Sequence, residues 1–196
     1  MSQAVDPRAA FTGFVRAVSA RAQTPIGYLV LTVTLMLGFY SVLYQPYDPL
    51  SWPGTWLLAY LEVSARSSAA LLTLFGESVS LSGTQVLGRF PFVVVLDCAA
   101  LDAQALFAAA VLAFPVQAWK RVAGLLGGLV LIFGINTLRL VALYFAGVRS
   151  LDLFHTLHEE VFVFVIIACV CLLFFGWARW ARGAAAISEV GAARAA

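Results

Sequence analysis

The amino-acid sequence predicts an all-α polytopic membrane helix bundle with a short extracytoplasmic β-hairpin, and three observations carry that expectation. Hydrophobic residues make up 62% of the 196-residue chain and charged residues only 11%, against about 45–50% and about 25% in soluble domains. Several apolar runs approach the roughly 20 residues with which a helix crosses a ~30 Å hydrocarbon core. Between them, residues 77–96 turn to short alternating stretches punctuated by Gly76, Gly83 and Gly88, the texture of strands and turns. The lipid bilayer is therefore the first partner. A formal charge of +2 without a basic run interleaved with aromatics argues against nucleic acid. Three cysteines, with no CxxC pair, give neither a disulfide framework nor a zinc signature.

The elements follow in order. Residues 1–25 carry Arg8, Arg16 and Arg21 and are expected as a cytoplasmic N-terminal segment. Ile26–Tyr44 is the first span, with Pro25 and Gln45-Pro46 as its start and stop. It exceeds the roughly 7–15 residues of a signal-peptide core and no small-x-small site follows, so a retained signal anchor is expected. Residues 54–75 mix Trp56, Leu57, Leu58, Tyr60 and Leu61 with Glu62, Ser64, Arg66, Ser67 and Ser68. Glu62 and Arg66 stand four apart and suit one helix face. Either a fifth span or an interfacial helix fits this composition. Val79–Ser82 and Phe92–Val95 are expected to form the hairpin. Three further spans are expected at about Ala99–Ala118, Val122–Phe145 and Val161–Ala178. Residues 26–182 then form the membrane domain, and 183–196 a flexible cytoplasmic tail.

Orientation follows from the lysines and arginines. With Arg8, Arg16 and Arg21 cytoplasmic, Lys120–Arg121 and Arg179–Arg182 mark two further cytoplasmic ends. Cys98 then begins its helix on the outer side, Arg139 lies in the outer half of the next helix, and residues 147–160 form an outer loop. An odd number of crossings must separate residue 25 from residue 98. A full span at 54–75 breaks that parity, so a re-entrant or interfacial helix is expected there.

The polar residues placed on that side are candidates for chemistry. Cys98 stands where a strand-like segment gives way to a helix, whose positive end favours a thiolate; adjacent Asp97 opposes it, so a cation is needed. A small buried thiol is the plain alternative. Cys169 and Cys171 lie within an apolar run and read as packing residues. Arg139 interrupts a long apolar stretch at a cost of about 2.5–3.5 kcal/mol on insertion scales, which calls for a polar interior with partners; snorkelling to headgroups is the alternative. Asn136 stands one turn earlier on the same face. Gly124, Gly127, Gly128 and Gly134 are expected to admit a neighbouring helix. His155 and His158, the two histidines of the chain, can exchange protons near neutral pH and activate a thiol; the alternative makes them interfacial polar residues. His155, His158, Glu159 and Glu160 lack a convincing third ligand, so no metal or other cofactor is expected. A nucleophile, a cation and a base on one side of a membrane suit thiol acyl transfer.

The order of these residues resembles the exosortase/archaeosortase family of membrane cysteine transpeptidases. The resemblance runs through Gly76-Glu77-Ser78-Val79 and Gly83, Asp97-Cys98, Leu106-Phe107, Phe114-Pro115, Arg121, Asn136-Thr137-Leu138-Arg139, and Phe154-His155 with His158. It covers about residues 76–180, and the compact length is most like the exosortase H type. It implies an enzyme that cleaves secreted proteins bearing a C-terminal sorting signal, namely a motif, a transmembrane helix and a basic cluster. The product is held as an acyl-thioester on Cys98 and passed to an acceptor, a lipid or a glycan. Arg139 and His158 or His155 would be catalytic, with Asn136, Asp97 and Arg121 in support; the compact type favours His158. One departure is Cys98-Ala99-Ala100, where the family often has Cys-Ser/Asn-Gly, which is expected to alter the turn after the nucleophile. A non-enzymatic scaffold or transport-associated protein is the alternative from another class, although no internal repeat or pair of broken helices supports a transporter.

Overall fold

The computed structural model describes residues 24–195; the expected N-terminal segment lies outside them except for its last two residues. Helix α1 is Pro25–Leu43, opened by Thr24, whose hydroxyl accepts from the Gly27 N–H at 3.1 Å. Helix α2 is Trp52–Leu74, with Ser51 as its cap and a proline in its first turn, where a missing N–H costs nothing. Three short strands follow, β1 Ser80–Ser82, β2 Gln85–Leu87 and β3 Phe92–Val93. A 3₁₀ turn at Leu96–Cys98 leads to α3, Leu101–Ala113, and a tight turn at Pro115 to α4, Ala118–Arg149. Helix α5, Leu151–Thr156, passes through a π-helical turn at Leu157–Val161 into α6, Phe162–Ala195. The backbone of the expected tail thus continues the last helix.

Four stretches are long and apolar enough to cross a membrane: Pro25–Leu43, Trp52–Leu74, Ala118–Arg149 and Leu151–Gly183. They are not the expected four. The run 99–118 breaks twice, at Ala100 and at Phe114-Pro115, which leaves α3 with 13 residues and a length of about 20 Å. Phe114 adopts ψ 130°, the extended conformation that a following proline imposes. Residues 54–74 belong instead to one unbroken helix of 23 residues, Trp52–Leu74, which excludes a re-entrant loop.

The expected hairpin is a three-stranded antiparallel sheet in the order β1-β2-β3. Ser82 pairs with Gln85, so Gly83-Thr84 forms a two-residue turn with Gly83 at φ +60°. The partner of residues 80–82 is therefore 85–87, and Phe92–Val93 joins the far side of β2.

Side-chain contacts fix the level of each helix. Tyr28 at the start of α1 donates to the Ala110 carbonyl at 3.2 Å, whereas Tyr44 at its end donates to the Asp102 carboxylate at 2.9 Å. Helices α1 and α3 are therefore antiparallel. Helix α4 returns alongside α3, where Gly128 leaves room for the Phe107 ring and Gly124 for Trp177 of α6; a β-carbon at either would collide with those rings. Gly127 and Gly134 face open space, so two of the four glycines act as expected. One core gathers Phe107, Val111, Ile132, Ile166 and Val170 between α3, α4 and α6. A second joins Leu61, Ala65 and Leu72 of α2 to Val86, Val94, Leu140 and Tyr144, and so seats the sheet against α2 and α4.

Candidate active site

Cys98 is held by backbone geometry. Val94 is buried and its N–H donates to the Thr84 carbonyl at 3.0 Å, anchoring the chain as it leaves β3. The N–H of Cys98 donates to Val95 and that of Ala99 to Leu96, both at 3.0 Å. Ala100 then takes φ 52°, the one non-glycine positive φ among the described residues. This is the left-handed region that glycine enters freely and alanine at a cost of about 1–3 kcal/mol. The turn thus has the shape a glycine favours although alanine occupies it, and α3 starts immediately beyond. Cys98 is half-buried, two residues ahead of the positive end of that helix.

Arg139 reaches this turn through Asn136. The Asn136 Nδ2 donates to the Cys98 carbonyl at 2.9 Å, and Arg139 Nη1 donates to Asn136 Oδ1 at 3.3 Å. Asn136 is 2% exposed and Arg139 7%, so neither charge nor amide is left to water. Arg139 Nη2 lies 3.3 Å from His158 Nδ1. A guanidinium only donates, so Nδ1 accepts and the ring proton of a neutral His158 belongs on Nε2. The Nε of Arg139 is buried with no partner.

The two histidines part company. His158 stands in the π-helical turn, a local widening frequent at functional sites. It stacks on Phe154 with centroids 5.5 Å apart and planes at 9°. Cys98 and His158 line one cavity of about 60 Å³, shared with Phe92, Val93 and Phe154. His155 is exposed and its Nδ1 lies 3.2 Å from Glu159. Asp97 is exposed beside Cys98. Arg121 does not join the site: its Nε donates to the Phe114 carbonyl at 3.1 Å, 18 residues and about 27 Å along α4 from Arg139.

Side chains beyond the expected set hold the surroundings. Tyr60 donates to the Ala99 carbonyl at 3.3 Å and accepts from Gln104, bracing the turn after Cys98 from α2. Tyr144, fully buried on α4, donates to Glu77 at 3.0 Å and accepts from the Arg89 N–H at 3.1 Å. Arg89 also pairs with Glu77 through two nitrogens, and this hydrogen bonding holds the Glu77 carboxyl below the usual carboxylate range. The clasp fastens the sheet, and with it Phe92 and Val93, beside the cavity. The expected hairpin put Arg89 in its connection and so gave no pairing with Glu77; nothing local marks Tyr60. Compared with family models, curated proteins and solved structures, the chain matches none. Function is therefore read from the chemistry of the site.

Proposed function

We propose that this chain is a membrane-embedded cysteine endopeptidase and transpeptidase, acting on secreted proteins with a C-terminal sorting signal from the extracytoplasmic side of a cytoplasmic membrane. The observation that carries this reading is the unbroken chain of contacts from the Cys98 carbonyl through Asn136 and Arg139 to His158. Cys98 and His158 also share a cavity.

The bundle's dimensions support the sidedness. Lys120 and Arg139 are 19 residues apart on α4, about 28 Å, close to the thickness of the hydrocarbon core. With Lys120 at the cytoplasmic boundary, the thiol and its partners sit at the opposite headgroup level. Tyr60 contacts Ala99 and Phe133, and Phe75 contacts Phe145, so α2 climbs alongside α4 away from the Lys120 end. Its Glu62–Arg66 ion pair, at 3.1 Å and exposed, then lies toward the Arg139 end of α4, near the outer headgroups. On this reading α2 does not cross, despite its length, and the parity of the chain is kept.

The chemistry follows the contacts. Cys98 gives its proton to His158 Nδ1 as Arg139 turns from that nitrogen toward the substrate. The sulfur bonds to the scissile carbonyl carbon, and the carbonyl electron pair moves to oxygen, where the guanidinium holds the negative charge. Collapse breaks the C–N bond; the proton on His158 passes to the leaving amine, and a thioester remains on Cys98. A hydroxyl or amine of a lipid or glycan acceptor, or water, then attacks the thioester, loses its proton to His158 and releases the thiolate, which recovers that proton. A cavity of about 60 Å³ is far below the roughly 300–1,000 Å³ of small-ligand pockets. The peptide therefore enters only when β3 or Phe154 moves aside.

That small cavity is also what favours the second reading, a scaffold in which Arg139 and Cys98 only pack. Cys98→Ala separates the two. The enzyme reading predicts an inserted, folded protein whose processing of sorting-signal proteins falls by about 10⁴-fold or more, seen as uncleaved C-termini by mass. Processing unchanged in that variant would establish the scaffold.

A further inference from the structure

At the Lys120 end, remote from the thiol, a cavity of about 690 Å³ opens between α1, the α3–α4 turn and α6. Its walls are apolar and fixed before any ligand arrives. Tyr28 meets Phe114 edge-on at 5.9 Å and Phe114 meets Phe174 at 5.7 Å, while the Tyr28 hydroxyl is tied to the Ala110 carbonyl. Two guanidiniums, Arg179 and Arg182, complete the lining. Arg182 lies 4.7 Å over the Phe114 ring, which holds its charge at the edge of the groove. Both arginines are exposed, and no acidic side chain pairs with either among the described residues. Arg182 is 20 residues, or about 30 Å, along α6 from Phe162, one hydrocarbon thickness.

We propose that this groove binds an anionic phospholipid, with the phosphate on Arg179 and Arg182 and an acyl chain against Tyr28, Phe114 and Phe174. Charge complementarity selects this occupant. A free phosphate leaves the aromatic walls unused, a neutral lipid leaves two cations without an anion, and a protein helix ending in a basic cluster is repelled. Guanidinium forks match phosphate oxygens in pairs, and basic pockets between helices at the cytoplasmic face are where anionic headgroups are captured. The inference needs membrane insertion alone, so it stands apart from acyl transfer at Cys98.

Native mass spectrometry of the full chain in detergent, offered dioleoyl phosphatidylglycerol and dioleoyl phosphatidylcholine in equal amounts, tests it. The expected result is a preference of about tenfold or more for phosphatidylglycerol. It falls to near parity in Arg179→Gln/Arg182→Gln and is reduced but not lost in Arg179→Lys/Arg182→Lys, which keeps the charge and loses the fork. Glycerol phosphate, which has the anion without the chain, is expected to displace almost none of the bound lipid. Equal retention of the two lipids by the unaltered protein, an unchanged preference in the glutamine variant, or displacement by glycerol phosphate would each overturn the proposal.

Discussion

Helix α4 carries Arg121 in its first turn and Arg139 about 27 Å further along, and the two are held in opposite ways. Arg121 is half-buried and spends its Nε on the Phe114 carbonyl, closing the turn that Pro115 forces open. Arg139 is buried, bound to Asn136 and His158, and left with an Nε that has no partner. The first is explained by the fold around it. The second is not, because a buried cation with an unmet donor costs free energy that a purely structural role would select against. The lesson is that Arg121 is satisfied by the fold around it, whereas Arg139 keeps an unmet donor, which the proposed acyl transfer would use.

Substitutions can break or sharpen that contrast. After Cys98→Ala, the largest effect is expected at the proposed base: His158→Ala should lower processing by about 10²–10⁴-fold. His155→Ala should leave it nearly unchanged, since His155 faces solvent with Glu159. A reversed outcome in the same processing assay would move the base to the other histidine. Arg139→Lys keeps the charge but loses the planar fork that reaches Asn136 and His158 together, so a fall of about 10²–10³-fold is expected. Wild-type turnover there would reduce Arg139 to a bare charge. The smallest effect belongs to Arg121→Gln, which should cost about 1–2 kcal/mol of stability, read by thermal unfolding in detergent, with processing of the folded fraction intact.

Much of the bundle was legible because long apolar helices write themselves into composition. Ile26–Tyr44 was found within a residue of α1, and the Glu62–Arg66 pair forms as its spacing suggested. The run 99–118 was misread because hydropathy does not register a backbone break. Only Pro115 hinted at one end of it, and the left-handed Ala100 at the other end carries no signal in an alanine pair. The sheet was misregistered because Gly83-Thr84 makes a tight turn between strands too short to show alternation. At the site, Asn136 and Arg139 announced themselves as polar residues in an apolar run, Cys98 and His158 by their chemical type, and the structure brings the four together. Arg121 entered as a supporting residue through the resemblance alone, although the charge pattern already set it at the opposite end, and the roughly 27 Å of helix between it and Arg139 removes it. Tyr60 and Tyr144 stayed hidden because an aromatic in an apolar helix reads as core until its hydroxyl is seen to find a partner.

The most direct measurement is a search for the covalent intermediate on the sulfur itself. Purified protein incubated with a sorting-signal substrate and no acceptor should carry, on the peptide containing Cys98, an added mass equal to the substrate's N-terminal fragment. Hydroxylamine should release it, as it does a thioester, and Cys98→Ala should show none. A processing-competent preparation with Cys98 unmodified, or with the adduct on Cys169 or Cys171, would contradict the account.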